Sequence, residues 1–367
     1  MPHLVIDTTT RMSNIPTAWF FDNPAIIQKG WDQWTAPAYS FLIEHHATGT
    51  QVLFDLGVRK DFENHPVAAK MKKAGVGKVE VQKGVREILE ENGVHGSRIK
   101  AVIWSHWHFD HVGDMSTFDP DTRLVVGPGF KDAFLPGYPA DPEGQILESD
   151  YAGRELVEIS FDGQGDVDGP VTTIGRFAAF DYFGDGSFYL LDSPGHAIGH
   201  LCGLARVSSG KDDGNGGGDT YVLMGGDAVH HCGELRPSPW RTLPKKSNGS
   251  EDVAAPASAD TAAGCGSVCP GGLFEKLYRD GDDQKPFLGL ATVAGSVTAD
   301  AKMAEQTVEK LQEADAHDKV FVIHAHDSDL LNIIDFFPKS VSDFENKDWA
   351  EKGRWAFLKD FEQVLNH

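Results

Sequence analysis

Only four of the 367 residues are cysteine (Cys202, Cys232, Cys265 and Cys269). That is too few to staple a chain of this length, so no disulfide framework is expected and a reducing, cytoplasmic setting is. Positive charge is scarce too. Lysine and arginine number 33 against 55 acidic residues, a formal net charge of −22. Such a chain repels phosphate backbones and anionic lipid, so neither nucleic acid nor membrane is expected as a partner. No apolar run approaches the roughly 18 residues of a membrane span. The opening Met1-Pro2-His3-Leu4 lacks the basic and apolar stretches of a secretory leader. There is no internal repeat, and no Gly-x-Ser-x-Gly elbow that would announce a serine nucleophile. What remains is of globular composition, 40% hydrophobic and 24% charged, in a length that allows one large domain or two ordinary ones.

The order of elements argues for layers. Strand signals occur at Tyr39–Glu44 and Gln51–Phe54, then at Ile99–Trp104, Arg123–Val126, Phe188–Leu191, Leu201–Val207, Tyr221–Met224 and Val320–Ile323. Helical periodicity is read over Asp61–Ala74, Val81–Asn92, Ala299–Glu313 and Trp349–Val364; in the second, Val85, Ile88 and Leu89 share one face. This alternation, with hairpins among it, predicts an α/β architecture. Two stretches read as loop insertions. Residues 208–219 are rich in Gly and Asp, and residues 243–272 are rich in Ala, Ser, Gly and Pro without periodicity. Cys265 and Cys269 fall in the second, where a pair of loop thiols is the reading and one Cys pair alone is weak evidence of a metal.

Histidine is the informative count. Of 16, seven sit in tight groups, at 106/108/111, 230/231 and 324/326. The segment Ser105-His106-Trp107-His108-Phe109-Asp110-His111 follows a strand of buried type, which puts it at the carboxyl end where α/β sheets place ligands. Residues 106 and 108 project to one side of an extended backbone. Three imidazoles and a carboxylate within six residues are costly to bury unpartnered, and a divalent metal satisfies all four. A chance occurrence of His-x-His-x-Asp-His in this chain has a probability on the order of 10⁻³. Three further strands end in potential ligands: His196 after Phe188–Leu191, Asp227 after Tyr221–Met224, and His324 and His326 after Val320–Ile323.

In these four motifs, in this order, the sequence resembles the metallo-β-lactamase superfamily of metal-dependent hydrolases, from about Tyr39 to Asp327. The resemblance implies one domain spanning residues 1–367, an αββα four-layer sandwich with a two-metal site at one edge of the sheets. It implies that His106, His108 and His196 hold the first metal, that Asp110, His111 and His326 hold the second, and that Asp227 bridges them. His324 is the alternative to His326; the His-Asp pair at 326–327 favours the latter. Asp55, in Asp-Leu-Gly, matches the family's turn aspartate and is expected to support the ligands. Five histidines and two carboxylates suit Zn2+ best, with Mn, Fe and Co tolerated.

His111 where some penicillin-cleaving members carry Arg, together with Asp227, resembles the lactonase, thioesterase, nuclease and alkyl-sulfatase-like branches. The charge argues against a nuclease. A short tail without a basic cluster argues against a glutathione-thioester enzyme. The nearest resemblance is to N-acyl-homoserine lactonases and fungal lactonase-like (γ-lactamase-like) proteins. It implies a dinuclear hydrolase that opens a small lactone or cyclic amide by attack of a metal-bridging hydroxide on the carbonyl. Asp110 is the best candidate to orient that hydroxide and pass its proton to the leaving group. His230, three residues after Asp227, stands where the lactonases place a carbonyl-stabilising tyrosine, so it is a candidate catalytic donor; His231 is expected to point the other way. The alternatives on the same fold are a thioester hydrolase, a non-hydrolytic iron-dependent oxygenase acting on persulfides, and an inactive scaffold. A homodimer is left open.

Overall fold

The computed structural model describes residues 3–210, 218–244, 270–293 and 295–365. Two six-stranded sheets carry the architecture. The first orders its strands in space as His3–Asp7, Tyr39–His45, Thr50–Phe54, Ile99–Ile103, Arg123–Val126 and Leu156–Glu158. Its first two pairings are antiparallel and its last three parallel. The second runs Val171–Ile174, Phe177–Asp181, Phe188–Asp192, Leu201–Ser208, Thr220–Met224 and Val320–Ile323. It is an antiparallel meander until its last pair, which is parallel.

Period-two alternation decides which face each residue covers. Tyr39, Phe41, Ile43, Val52, Phe54, Ala101 and Ile103 from the first sheet meet Phe188, Leu190, Leu201, Ala205, Val222, Met224 and Ile323 from the second in one buried cluster. The intervening Leu42, Leu53 and Val102 face outward, onto Val85, Ile88 and Leu89 of the helix Val85–Glu91. On the far side, Leu204, Leu223 and Val322 pack on Val308 and Leu311 of the helix Ala301–Asp315. Helix, sheet, sheet, helix is the αββα order. Strands buried on both faces read as continuous apolar runs, which is why they stood out in the sequence.

The parallel pairings also place the site. Ile99–Ile103 and Thr50–Phe54 end at the same edge, as do Thr220–Met224 and Val320–Ile323. Phe188–Asp192 is two antiparallel steps from Thr220–Met224 and so ends there too. Each motif thus leaves its strand at one rim of the sandwich.

Several elements differ from the sequence reading. The helix expected from Asp61 starts at Pro66 instead, after a 3-10 turn at Phe62–Asn64. His65 is held extended ahead of the proline, as residues before proline are. The helix expected from Val81 starts at Val85 behind Gly84. The segment expected as one helix from Trp349 breaks into Trp349–Arg354, a 3-10 stretch at Ala356–Phe361 and a last turn. A further layer was not anticipated. Arg11–Pro16, Gln33–Ala36 and Lys78–Glu80 form a small sheet. Phe21, Trp31 and Trp34 of this N-terminal region pack with Phe287, Phe357 and Phe361 in a separate buried cluster. Ser208 pairs with Thr220, which closes the first expected insertion as a hairpin; its residues 211–217, most of the 243–272 stretch, Cys265 and Cys269 lie outside the described residues. Among the described residues, no helix is long and apolar enough to cross a membrane.

Candidate metal centre

After Ile103 the chain leaves the sheet through Trp104 and Ser105, and a single helical turn, Phe109–Val112, begins behind His108. The turn closes on Gly113, whose φ of 53° and N–H to the Gly57 carbonyl need a residue without a Cβ; a Cβ there would stand 2.3 Å from that of Leu56. This folds His106, His108, Asp110 and His111 into one knot at the rim.

Three ring nitrogens meet in a triangle. His106 Nε2 lies 2.8 Å from His108 Nδ1, His196 Nε2 lies 3.0 Å from His108 Nδ1, and the two Nε2 atoms are 3.2 Å apart. Burial holds His106 and His196 well below the usual histidine range, and desolvation of its ring holds His108 at about 4. The three are therefore neutral. Lone pairs this close repel unless a proton or a cation sits among them, and protons cannot satisfy all three contacts. Nitrogens bound at about 2.0–2.1 Å to one tetrahedral ion stand about 3.3 Å apart. Asp227 Oδ2 completes the group, 3.7 Å from His106 Nε2 and 3.6 Å from His196 Nε2.

The other oxygen of the same carboxylate faces a second group. Asp227 Oδ1 is 3.0 Å from His111 Nε2 and 2.9 Å from His326 Nε2, and Asp110 Oδ2 is 3.5 Å from His326 Nε2. Each histidine is aimed from behind. His326 donates from Nδ1 to the Pro37 carbonyl at 2.7 Å, which leaves its Nε2 lone pair free. His111 Nδ1 faces Asp55 Oδ2 at 2.8 Å, and Asp55 Oδ1 accepts the Ser105 N–H at 2.6 Å. Burial disfavours charge on His111, but Asp227 and Asp55 outweigh it and raise its pKa well above the usual range. Burial likewise opposes the Asp227 charge, and His111, His326 and His230 overcome it and lower its pKa well below the carboxylate range. His111 Nε2 and Asp227 Oδ1 are both buried without a hydrogen-bond partner. Unpartnered buried polar atoms that converge are costly, and a cation between them removes the cost. The donor set of both groups fits divalent metals.

The remaining histidines sort by their contacts. His200 accepts the Asp227 N–H at Nε2 (3.1 Å) and faces Ser193 through Nδ1, so it ties the His196 loop to the backbone of Asp227. Burial lowers its pKa to about 3, which keeps it neutral in that task. His324 stands apart from the two groups, within a buried set with Cys232 and Asp327. Its Nδ1 accepts the His326 N–H, so Nε2 keeps its proton and points toward Cys232 Sγ, which donates to Asp327. That chain is satisfied by hydrogen bonds. His230 is buried beside Asp227, with Nε2 3.4 Å from that residue's Oδ2 and its own ring edge-on to Phe20 at 4.9 Å. His231 turns away to Asp360, Trp31 and Phe361. Three partners escaped the sequence reading: Pro37, Ser193 and Glu234, the last of which accepts the N–H groups of both His230 and His231. A Glu three residues after His231 is the capping-box spacing, the one signal available for it.

Residues 35–208 match the model of the metallo-beta-lactamase superfamily. The chain is 40% identical to gamma-lactamase FDB1 of Fusarium pseudograminearum, over 97% of this chain and 81% of that one. It is 41% identical to metallo-hydrolase mfmC of Annulohypoxylon moriforme, over 99% and 88%. Among solved structures, an N-acyl homoserine lactone hydrolase with N-hexanoyl-L-homoserine bound at its catalytic metal center superposes with a TM-score of 0.56 at 15% identity, over 92% of this chain and 98% of that one. That last likeness is one of fold.

Proposed function

The chain belongs to the metallo-beta-lactamase superfamily and is a metal-dependent hydrolase of the lactamase and lactonase type, and on that premise we propose that it opens a small lactone or cyclic amide with two divalent ions in one site. The observation that carries the dinuclear reading is the Asp227 carboxylate, which turns one oxygen to each ligand group. His106, His108 and His196 would hold one ion, Asp110, His111 and His326 the other. A bound pair of this kind supplies an acidified water at neutral pH and a Lewis acid for the carbonyl. Zinc suits the five imidazoles best.

The chain's own residues do the rest. Asp110 lies at the edge of the second group, where its carboxylate can take a proton from the attacking water and return it to the ring oxygen or nitrogen that leaves. The leaving atom stays tethered in the opened product, so prompt protonation is what prevents reclosure. His230 is buried beside the bridge and donates an N–H to the carbonyl oxygen as it gains charge. Phe20 and Trp34 wall the site on the side of His230 and His326, at ring distances of 4.9 and 5.9 Å, and exclude bulk water there. A relative named gamma-lactamase supports the cyclic-amide side of this reading.

Elemental analysis of protein purified without chelator tests the site, and about two ions per chain are expected. A panel of lactones, cyclic amides, linear thioesters and a chromogenic β-lactam tests the substrate class. One ion per chain, unchanged on adding metal, overturns the dinuclear site. Thioester turnover without any ring opening overturns the substrate class.

A further inference from the structure

We propose that Glu234 is the positioning residue that aims His230 at the reacting carbonyl, an inference that rests on the reading of His230 as the carbonyl-oxygen donor. Glu234 lies 1% exposed at the end of the turn Cys232–Glu234. A carboxylate so buried needs compensation. It finds it in the backbone: Oε2 accepts the His230 N–H at 2.6 Å and the His231 N–H at 3.2 Å. Its own carbonyl is held by the Gln312 amide at 3.2 Å, from the helix Ala301–Asp315. The loop leaving the bridging Asp227 is thereby wound around the carboxylate of one residue whose backbone is anchored to an outer helix.

That winding fixes two side chains in opposite senses. His231 is extended (φ −150°, ψ 142°), and its ring goes to Asp360 and the aromatic cluster of the termini. His230 goes to the metal centre, where its ring stands 4.8 Å from that of His196 and 6.1 Å from that of His326, parallel to the latter. Neither ring nitrogen of His230 has a hydrogen-bond partner. The ring itself has only the longer charge contacts to Asp227 and Glu234, so the backbone beneath it carries much of its direction. Oε2 of Glu234 also lies 3.8 Å from His230 Nδ1, behind the ring, while Nε2 faces Asp227. Without the carboxylate, two buried N–H groups lose their acceptor and the turn is free to rotate. Such a small misplacement of an N–H donor is enough to cost about 10- to 100-fold in turnover.

The test uses the full, metal-loaded chain. Glu234→Ala is expected to lower kcat by about 10- to 100-fold with KM and metal content near wild type. Glu234→Gln keeps an oxygen acceptor and is expected to restore most of kcat. In the His230→Phe background, Glu234→Ala should cost nothing further, because the residue it positions is gone. A readout independent of turnover is amide hydrogen exchange at residues 230 and 231. Protection should be lost in Glu234→Ala and kept in Glu234→Gln. Unchanged protection in Glu234→Ala overturns the proposal, as does an equal loss of kcat with and without His230. If His230→Phe alone leaves kcat intact while wild type opens its substrate, the donor role and this proposal fail together but the hydrolase reading stands. If wild type opens no ring, the ring-opening reading fails, and exchange still decides whether Glu234 holds the turn.

Discussion

If the site takes two metals as proposed, replacing Asp55 by Asn should weaken one equivalent and spare the other. Asp55 is 1% exposed, accepts the Ser105 N–H at 2.6 Å through Oδ1, and faces His111 Nδ1 at 2.8 Å through Oδ2. The second contact keeps a proton on Nδ1, so a cation that displaces the other proton meets the Nε2 lone pair on the Asp227 side. Asn is nearly isosteric. It also tolerates the left-handed φ of 59° found at this position, which Ala would not. If the amide oxygen stays on Ser105, the amide NH2 meets His111 Nδ1. The imidazole must then accept there and carry its proton on Nε2, the wrong side for a ligand. Losses of a ligand's supporting partner run at about 10- to 100-fold in metal affinity, which is about 1.4–2.7 kcal/mol. The upper half is expected, because the site is buried and no solvent can take over the role. Global stability should change little. Burial pushes the Asp55 pKa up, so the charge it carries is itself disfavoured, and removing it offsets a weaker bond to Ser105. Competition against a chromogenic chelator resolves the two equivalents. Equal weakening of both, or of neither, would refute the argument that Asp55 acts through His111.

Asp110→Asn keeps an oxygen ligand but carries no proton, so ring opening should fall by at least about 10²-fold while most of the metal stays bound; activity within a few-fold of wild type would show that the proton travels elsewhere. Asp150 is 1% exposed with Oδ1 unpartnered, and burial raises its pKa to about 7. Its folded form therefore holds a proton that the unfolded chain releases near 3.8, so stability is lost as pH rises from about 4 to 7 and is flat above. Asp150→Asn should accordingly stabilise the fold at pH 8, by up to about 4 kcal/mol, and hardly at pH 4. Urea unfolding at the two pH values checks this, and an equal effect at both would contradict it.

The sequence was most readable where the chain is buried on both faces or where ligands are neighbours. Arg123–Val126 and Val320–Ile323 are apolar runs bounded by polar turns, and the structure gives them the bounds expected. His106, His108, Asp110 and His111 fall within six residues, so their convergence needed only a strand end and a turn. Legibility failed where structure depends on distant partners. Arg11–Pro16 and Gln33–Ala36 are short, half-exposed strands with a register shift between Met12 and Ile15, and period-two reading does not survive a bulge. Pro66 moved a helix start because it restrains His65 before it.

The His-Asp pair at 326–327 already favours His326 over His324, and the structure adds the physical reason. The two residues share a strand end and lie two apart, so spacing treats them alike. Hydrogen bonds do not. His326 gives its Nδ1 proton to the carbonyl of Pro37, 289 residues away in sequence, and so must present a bare Nε2 to Asp227. His324 takes a proton at Nδ1 from the backbone of His326 itself, and so keeps one on Nε2. A neutral imidazole with Nε2 protonated offers no lone pair to a cation on that side. His324 is thereby confined to a hydrogen-bonded role with Cys232, even though Cys232, His324 and Asp327 stand close enough together to mimic a third metal group. One contact, to the Pro37 carbonyl, frees Nε2 of His326, and another, from the His326 N–H, disqualifies its neighbour.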